Sequence, residues 1–321
     1  MYVIVVWMSM EYVRLGKGGP KVSVIGMGSW QMGDATWGKD VNEENSIAAI
    51  KRSLELGVNF IDTAELYGDG RSEGIIGKAI KDVDRNGMVM ATKVSGKHLR
   101  YNDVIKACEG SLKRLGLKEI DLYQVHWPDP FEQVPLHHTM KAMEQLQKEG
   151  RIKAIGVSNF AVRDLKEAMS LLSHSEIVSD QVRLNMLQRD SEEEVLQFCR
   201  EERISVIAWS PLGQGLLTGK YGFDRKPMDE MRSDNKLFTE SNLREESKLL
   251  EVLHSIANSR KKTVSQIALN WLMTQRKVIP IPGAKNPTQA EQNAGATGWK
   301  LNKQEAQRIG EVLDKIQIDS F

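Results

Sequence analysis

Three strand-like runs, V-N-F-I-D-T-A (58–64), V-M-A-T-K-V (89–94) and I-D-L-Y-Q-V-H (120–126), begin 31 residues apart, and a fourth, I-K-A-I-G-V-S-N (152–159), begins 32 residues later. That length of chain accommodates a strand, a helix and two turns, so the rhythm predicts repeated βα units and a parallel sheet. Further runs at 177–182, 204–210 and 278–283 follow, and a short one near Ala294–Thr297 completes a set of eight. None alternates cleanly between apolar and polar residues, as expected for strands covered on both faces. Between them, Asn42–Leu56, Asp103–Leu115, Leu136–Lys148, Asp164–Leu172 and Ser191–Glu202 carry apolar residues at helical spacing. Gly57, Gly116 and Gly150 follow three of these segments, where a left-handed cap is wanted. The expected fold is a single α/β (β/α)8 TIM barrel spanning residues 1–321.

Two departures from the rhythm predict additions to the barrel. The segment R-L-G-K-G-G-P-K-V-S-V-I-G (14–26) reads as an N-terminal β-hairpin turning at Gly18-Gly19 and plugging the barrel floor. From Pro211 to Lys277 there are 67 residues, where about 25 suffice for one helix and its turns. The polar, Gly- and Pro-bearing stretch 221–236 reads as a long loop on the C-terminal side of the strands, where barrel enzymes place their sites. The apolar segment at residues 1–9 is shorter than the roughly 20 residues that span a bilayer, and it lacks a basic leader, so it is expected to be an extra strand or an unstructured leader.

The balance of 40% hydrophobic and 27% charged residues suits a water-soluble protein with a sizeable core. A net charge of +1 supplies no field to recruit nucleic acid or an acidic membrane surface. Two cysteines, Cys108 and Cys199, form neither a metal-ligand spacing nor a disulfide framework, which points to a reducing, cytoplasmic setting. His98, His174 and His254 are scattered and His137-His138 opens a helix, so no metal site is expected.

Asp62, Lys93 and His126 stand at consecutive strand ends, and Tyr67 lies on the loop after the first. A carboxylate, an amine, a phenol and an imidazole so placed suit proton transfer. A phenol with its ordinary pKa near ~10 is a poor acid at neutral pH, and a neighbouring ammonium is expected to lower it. Lys93 can supply that charge, Asp62 can hold Lys93, and His126 can orient a carbonyl oxygen. Hydride must then come from a cofactor, because no side chain donates it.

The run G-V-N-F-I-D-T-A-E-L-Y-G (57–68) resembles the first signature of the aldo-keto reductases. The resemblance continues through A-T-K-V, Q-V-H-W-P-D-P (124–130), I-G-V-S-N-F (155–160), W-S-P-L-G-Q-G-L-L-T-G-K-Y (209–221) and P-I-P-G-A-K-N-P-T-Q-A-E-Q-N (280–293), in order across most of the chain. It implies that Tyr67 is the general acid in reduction and the base in oxidation, tuned by Lys93 and Asp62, with His126 placing the carbonyl. Ser158, Asn159 and Gln181 would hydrogen-bond the nicotinamide carboxamide, and Trp209, where many members have Tyr, would stack on the ring. Ser210, Pro211, Leu212, Gly213, Gly215 and Lys220 would belt the pyrophosphate, and Gly283 would join the cofactor site. Trp30 and Trp127 would line the substrate pocket, although Trp127 alone reads as packing.

Asn286-Pro287 looks like the cap and first turn of a short helix whose N-terminus attracts phosphate. Lys285 beside it would pair with the 2′-phosphate of NADPH, with Gln289, Gln292 and Asn293 at the adenine. Many NADPH-strict members carry Arg at the Gln289 position, which leaves NADH as an alternative cofactor. The segment G-Q-G-L-L-T-G (213–219) misses the dinucleotide fingerprint G-x-G-x-x-G by one residue and lacks the acidic residue that would follow in a βαβ unit, so a Rossmann fold is not expected.

The expected function is NADPH-dependent reduction of small carbonyl compounds. Two readings use the same residues differently: a sugar or polyol dehydrogenase running oxidatively, and a nucleotide-binding regulatory subunit similar to the β-subunits of voltage-gated potassium channels. Those subunits resemble this chain in W-S-P-L but have Asn at the position of His126, so His126 favours an enzyme. The residues say nothing of protein partners.

Overall fold

The computed structural model describes residues 10–33, 35–37, 41–190, 194–233, 235–275 and 277–319. Two short antiparallel strands, β1 (Tyr12–Arg14) and β2 (Lys21–Ser23), precede eight parallel ones. These are β3 (Met27–Gly28), β4 (Phe60–Asp62), β5 (Val89–Val94), β6 (Ile120–Val125), β7 (Ile152–Ser158), β8 (Ile177–Arg183), β9 (Ser205–Trp209) and β10 (Val278–Pro280). They pair in chain order. The ring closes where Gly26 N–H donates to Pro280 O at 2.9 Å and Gly28 N–H to Pro282 O at 3.1 Å. A Cβ on Gly28 would sit 2.7 Å from Ile281 O, so the seam needs a glycine.

The helices are α1 (Glu43–Glu55), α2 (Arg71–Ile80), α3 (Tyr101–Leu115), α4 (Leu136–Lys148), α5 (Val162–Leu171), α6 (Val195–Glu202), the single turn α7 (Glu230–Ser233), α8 (Glu240–Arg260), α9 (Val264–Thr274), α10 (Pro287–Ala294) and α11 (Lys303–Leu313). Gly57, Gly116 and Gly150 all adopt positive φ just past helix ends, as their positions predicted. Asn286 caps α10 by accepting from Gln289 N, with Pro287 in the first turn.

The eighth strand is not where the sequence placed it. Ala294 ends α10 and residues 295–298 form turns, whereas the missing strand is the two-residue β3. The interval 211–277 is less loop than expected: a 3-10 segment, Gly213–Thr218, and α7 are followed by the long helices α8 and α9. The hairpin is present, but its left-handed residue is Gly16, with φ 56°, rather than Gly18 or Gly19. The expectation for residues 1–9, and that for a helix over residues 191–193, lie outside the described residues.

Inside the barrel the strands read as two storeys. Phe60, Ala91, Leu122, Ala154, Ile207 and Ile279 form an apolar floor with Leu15 and Val22 of the hairpin. Two residues onward along four of the same strands the side chains become Asp62, Lys93, Gln124 and Trp209. Because side chains alternate faces with a period of two, the strands that build the floor necessarily aim these groups into the mouth. Lys93 and Gln124 are register partners, as are Ser158 and Gln181.

Two tests follow from this packing. Leu15 is fully buried in the floor, so Leu15→Ala should lower unfolding free energy by about 2–5 kcal/mol in urea titrations. Glu246 on α8 is buried, neither carboxylate oxygen has a hydrogen-bond partner, and burial pushes its pKa up to about 8. Its raised folded-state pKa favours folding below the ordinary carboxylate range and loses that contribution as pH rises toward 8. Relative to Glu246→Gln, the wild type should therefore lose on the order of 4 kcal/mol between about pH 4.5 and pH 8, read by denaturation across pH.

Candidate active site

A cleft of about 700 Å³ opens at the C-terminal ends of the strands. Asp62, Tyr67, His126, Trp30, Trp127, Ser158, Asn159, Gln181, Trp209, Ser210, Pro211, Leu212, Gly215, Lys220, Gly283, Lys285, Gln289, Gln292 and Asn293 all line it. Two residues expected there do not line it. Lys93 lies fully buried behind the wall, and Gly213 is buried with φ 54°, facing Leu187 and Asn185 rather than the cleft.

Asp62 and Lys93 form the hub. Lys93 Nζ donates to Asp62 Oδ1 at 2.5 Å, to Thr63 O at 2.8 Å and to Tyr67 Oη at 3.3 Å, which uses its three hydrogens. Asp62 Oδ2 accepts from Gln124 Nε2 and Gln181 Nε2, each at 2.9 Å. Gln124 was missed in the sequence because its partner, Asp62, lies 62 residues away along the chain. Its signal is the inward period-2 position two residues before His126.

The titration behaviour corrects one expectation. Burial raises the pKa of the Tyr67 phenol and outweighs the downward pull of the Lys93 ammonium, while Asp62 adds a further upward push. Tyr67 therefore holds its proton at neutral pH. Lys93 loses hydration, which works against its charge, yet Asp62 and Tyr67 hold its pKa above the ordinary value. His126 is driven down to about 3 by burial and then by Lys93, so its imidazole is neutral. Its ring meets Tyr67 edge-on at 5.6 Å between centroids.

Around the end of the cleft near Trp209, the Trp209 Nε1–H donates to Asn159 Oδ1 at 3.0 Å. Asn159 Nδ2 donates to Ser158 Oγ at 3.0 Å and to His126 O at 3.1 Å. Ser158 Oγ donates to Gln181 O at 2.8 Å.

The opposite end is cationic. Lys285 Nζ donates to Trp37 O at 2.5 Å, and the Gln289 side chain accepts from Lys285 N at 2.9 Å. Arg232, on α7, is held by Asp229 and donates to Gln214 O at 3.1 Å, with its guanidinium 5.2 Å from the Tyr221 ring centroid and 5.8 Å from that of Trp37. Trp37 escaped notice in the sequence because its partners lie far along the chain. It also packs edge-on against Trp30 at 4.9 Å. Trp30, Leu66 and Trp127 form the exposed rim near Tyr67. Phe238, from the same long interval, is instead buried against Tyr221.

Among the described residues no cluster of three or more His, Cys, Asp or Glu side chains is arranged to hold a metal ion, and no helix is long and apolar enough to cross a membrane. The model of the aldo/keto reductase family matches residues 24–314. Aldo-keto reductase YhdN of Bacillus subtilis is 35% identical over 97% of this chain and 96% of its own. Glycerol dehydrogenase AKR11B4 of Gluconobacter oxydans superposes with a TM-score of 0.86 at 29% identity, covering 98% of this chain and 99% of that one. An aldo-keto reductase of Klebsiella pneumoniae, solved in complex with NADPH, gives 0.77 at 28% identity, covering 98% and 100%. With a family match over nearly its whole length and a parallel barrel carrying the site at its C-terminal mouth, this chain belongs to the aldo/keto reductase family.

Proposed function

We propose that this protein reduces small, uncharged aldehydes and ketones to alcohols with NADPH, and that Tyr67 supplies the proton. The observation that carries the reading is a phenol on the cleft wall, 3.3 Å from a buried ammonium and edge-on to a buried imidazole. The cleft suits a nicotinamide dinucleotide. Trp209 offers an aromatic face in the same cleft as Tyr67, while Lys220, Lys285 and the capped N-terminus of α10 offer positive potential elsewhere in it. Such a cofactor supplies hydride to the carbonyl carbon.

The chain's own residues then act on the oxygen. His126, neutral, orients the carbonyl. Tyr67 donates its proton to the oxygen as charge builds there, and Lys93 stabilises the phenolate left behind. Asp62, clamped by Gln124 and Gln181, keeps Lys93 charged and aimed.

The raised pKa of Tyr67 separates the two directions. Its protonated form serves reduction at neutral pH, whereas oxidation needs the phenolate. A polyol dehydrogenase reading, supported by the likeness to a glycerol dehydrogenase, therefore requires alkaline conditions. A purely regulatory nucleotide-binding role leaves the Tyr67–Lys93–Asp62 hub without a use. The aromatic rim, with its cations held at the far end, favours uncharged substrates such as sugar-derived aldehydes and α-oxoaldehydes over phosphorylated ones. The free, buried thiols of Cys108 and Cys199 fit a reducing, cytoplasmic location.

Three measurements test this reading. Tyr67→Phe should lower kcat for aldehyde reduction by roughly 10²–10⁴-fold while NADPH still binds, and turnover near wild type would refute the assignment. The rate of reduction should stay flat from about pH 5 to 8, because His126 is neutral throughout and Tyr67 protonated, and it should fall only in the alkaline range. Lys285→Ala should weaken NADPH binding about tenfold and leave NADH binding unchanged in fluorescence titrations, and equal losses for both would remove the 2′-phosphate role.

A further inference from the structure

Two residues along the cleft are held in backbone conformations that their side chains disfavour. Ser210 has φ 52° and Gln214 has φ 54°, both in the left-handed region, and both line the cleft. Such backbone persists only where its surroundings pin it, and each residue has its own pin. Ser210 O accepts from Asn185 Nδ2 at 3.0 Å. Gln214 O accepts from Arg232 Nη1 at 3.1 Å, and Gln214 Oε1 accepts from Asn235 Nδ2 at 3.0 Å.

The pins stand on different loops, one after β8 and one before α8, and the C-terminal segment joins them. Asn185 closes a turn with Gln188 through a reciprocal pair of backbone bonds at 3.1 and 3.2 Å. The next residue, Arg189, donates to Leu313 O at the end of α11 at 2.9 Å. From there the chain lays Ile316 and Ile318 against the main apolar core and reaches Asp319. Asn242, in the first turn of α8, is buried and commits both amide hydrogens and its oxygen to backbone groups. Its Oδ1 accepts from Asp319 N at 2.9 Å, and its Nδ2 donates to Asp319 O at 2.7 Å and to Lys236 O at 2.8 Å. Lys236 directly follows Asn235, the residue that holds Gln214. Asn242 itself does not line the cleft.

We propose that Asn242 is a positioning residue for the dinucleotide: by tying Asp319 to Lys236 it turns residues 313–319 into a brace between the supports of Ser210 and Gln214, and so slows release of the cofactor without touching it. The inference rests on the cofactor reading above and adds control of cofactor release by a part of the chain remote from the chemistry.

The test is stopped-flow fluorescence, in which bound NADPH is chased from the protein with excess NADP+. Asn242→Ala should release NADPH about tenfold faster, the ratio expected for the loss of one or two hydrogen bonds. Its single-turnover rate of aldehyde reduction, measured with saturating NADPH, should equal that of the wild type, because the proton-transfer hub is intact. A chain ended at Gln317 should also release NADPH faster, and combining it with Asn242→Ala should add nothing, since both break the same bridge. Unchanged release in both variants, or effects that add in full, overturns this inference and leaves the reductase reading standing. Failure of the wild type to bind NADPH overturns both. A second measurement needs no variant. If the brace slows release by stabilising the bound state, the nucleotide must stabilise the brace in return. Hydrogen exchange of the wild type, followed by mass spectrometry, should therefore slow in residues 313–319 when NADPH is added, and equal exchange with and without it overturns the proposal.

Discussion

The buried ion pair between Asp62 and Lys93 is the interaction on which the rest of the molecule is organised. Both side chains are out of contact with water, and stripping an ammonium and a carboxylate of hydration costs several kcal/mol each unless the geometry returns it. Here every donor and acceptor of the pair is met. Lys93 spends its hydrogens on Asp62, Thr63 O and Tyr67, and the second oxygen of Asp62 takes two carboxamide N–H groups. Removing one partner would strand the other, so four strands, β4, β5, β6 and β8, are held in one register by the site they build. The apolar floor of the barrel, sealed from below by Leu15 and Val22, keeps water from reaching the pair from the other side.

From that pair the chemistry spreads outward in one direction. Lys93 keeps its charge because Asp62 and Tyr67 outweigh desolvation, and the same desolvation keeps the proton on Tyr67. The ammonium also helps hold His126 neutral. Burial thus leaves the site a proton to give, and burial together with the Lys93 charge leaves an imidazole that orients without competing for it. Gln181 ties this centre to the outer shell, since its side chain holds Asp62 while its backbone oxygen accepts from Ser158 and Asn159. The proton-transfer hub and the ring-binding shell are therefore one hydrogen-bonded body.

Much of this was legible in the sequence, for a definable reason. The strands from β4 to β10 announce themselves by spacing and by dense β-branched runs, and their ends carry the residues that face the mouth. The first barrel strand was not legible: Met27–Gly28 is two residues long and is defined by its pairing with β4 and by the bond from Gly28 to Pro282, over 250 residues away. The apolar Ala294–Thr297 run looked like a strand because small apolar residues serve a helix end equally well. Gln124 and Trp37 were missed because their roles arise from tertiary contacts, one across three strands to Asp62 and the other to Lys285 and Arg232. The direction of the Tyr67 shift was misjudged because sequence shows the neighbouring charge and not the depth at which the phenol lies.

The most direct test of the account is to follow reduced nicotinamide absorbance in a single turnover, with the protein in excess over NADPH and tryptophan fluorescence recorded in parallel. The account predicts quenching on mixing, as the ring meets Trp209, and then stoichiometric loss of the reduced cofactor once an aldehyde is added. Quenching without aldehyde-dependent oxidation would contradict the claim that the Asp62–Lys93 pair arms Tyr67 for proton donation.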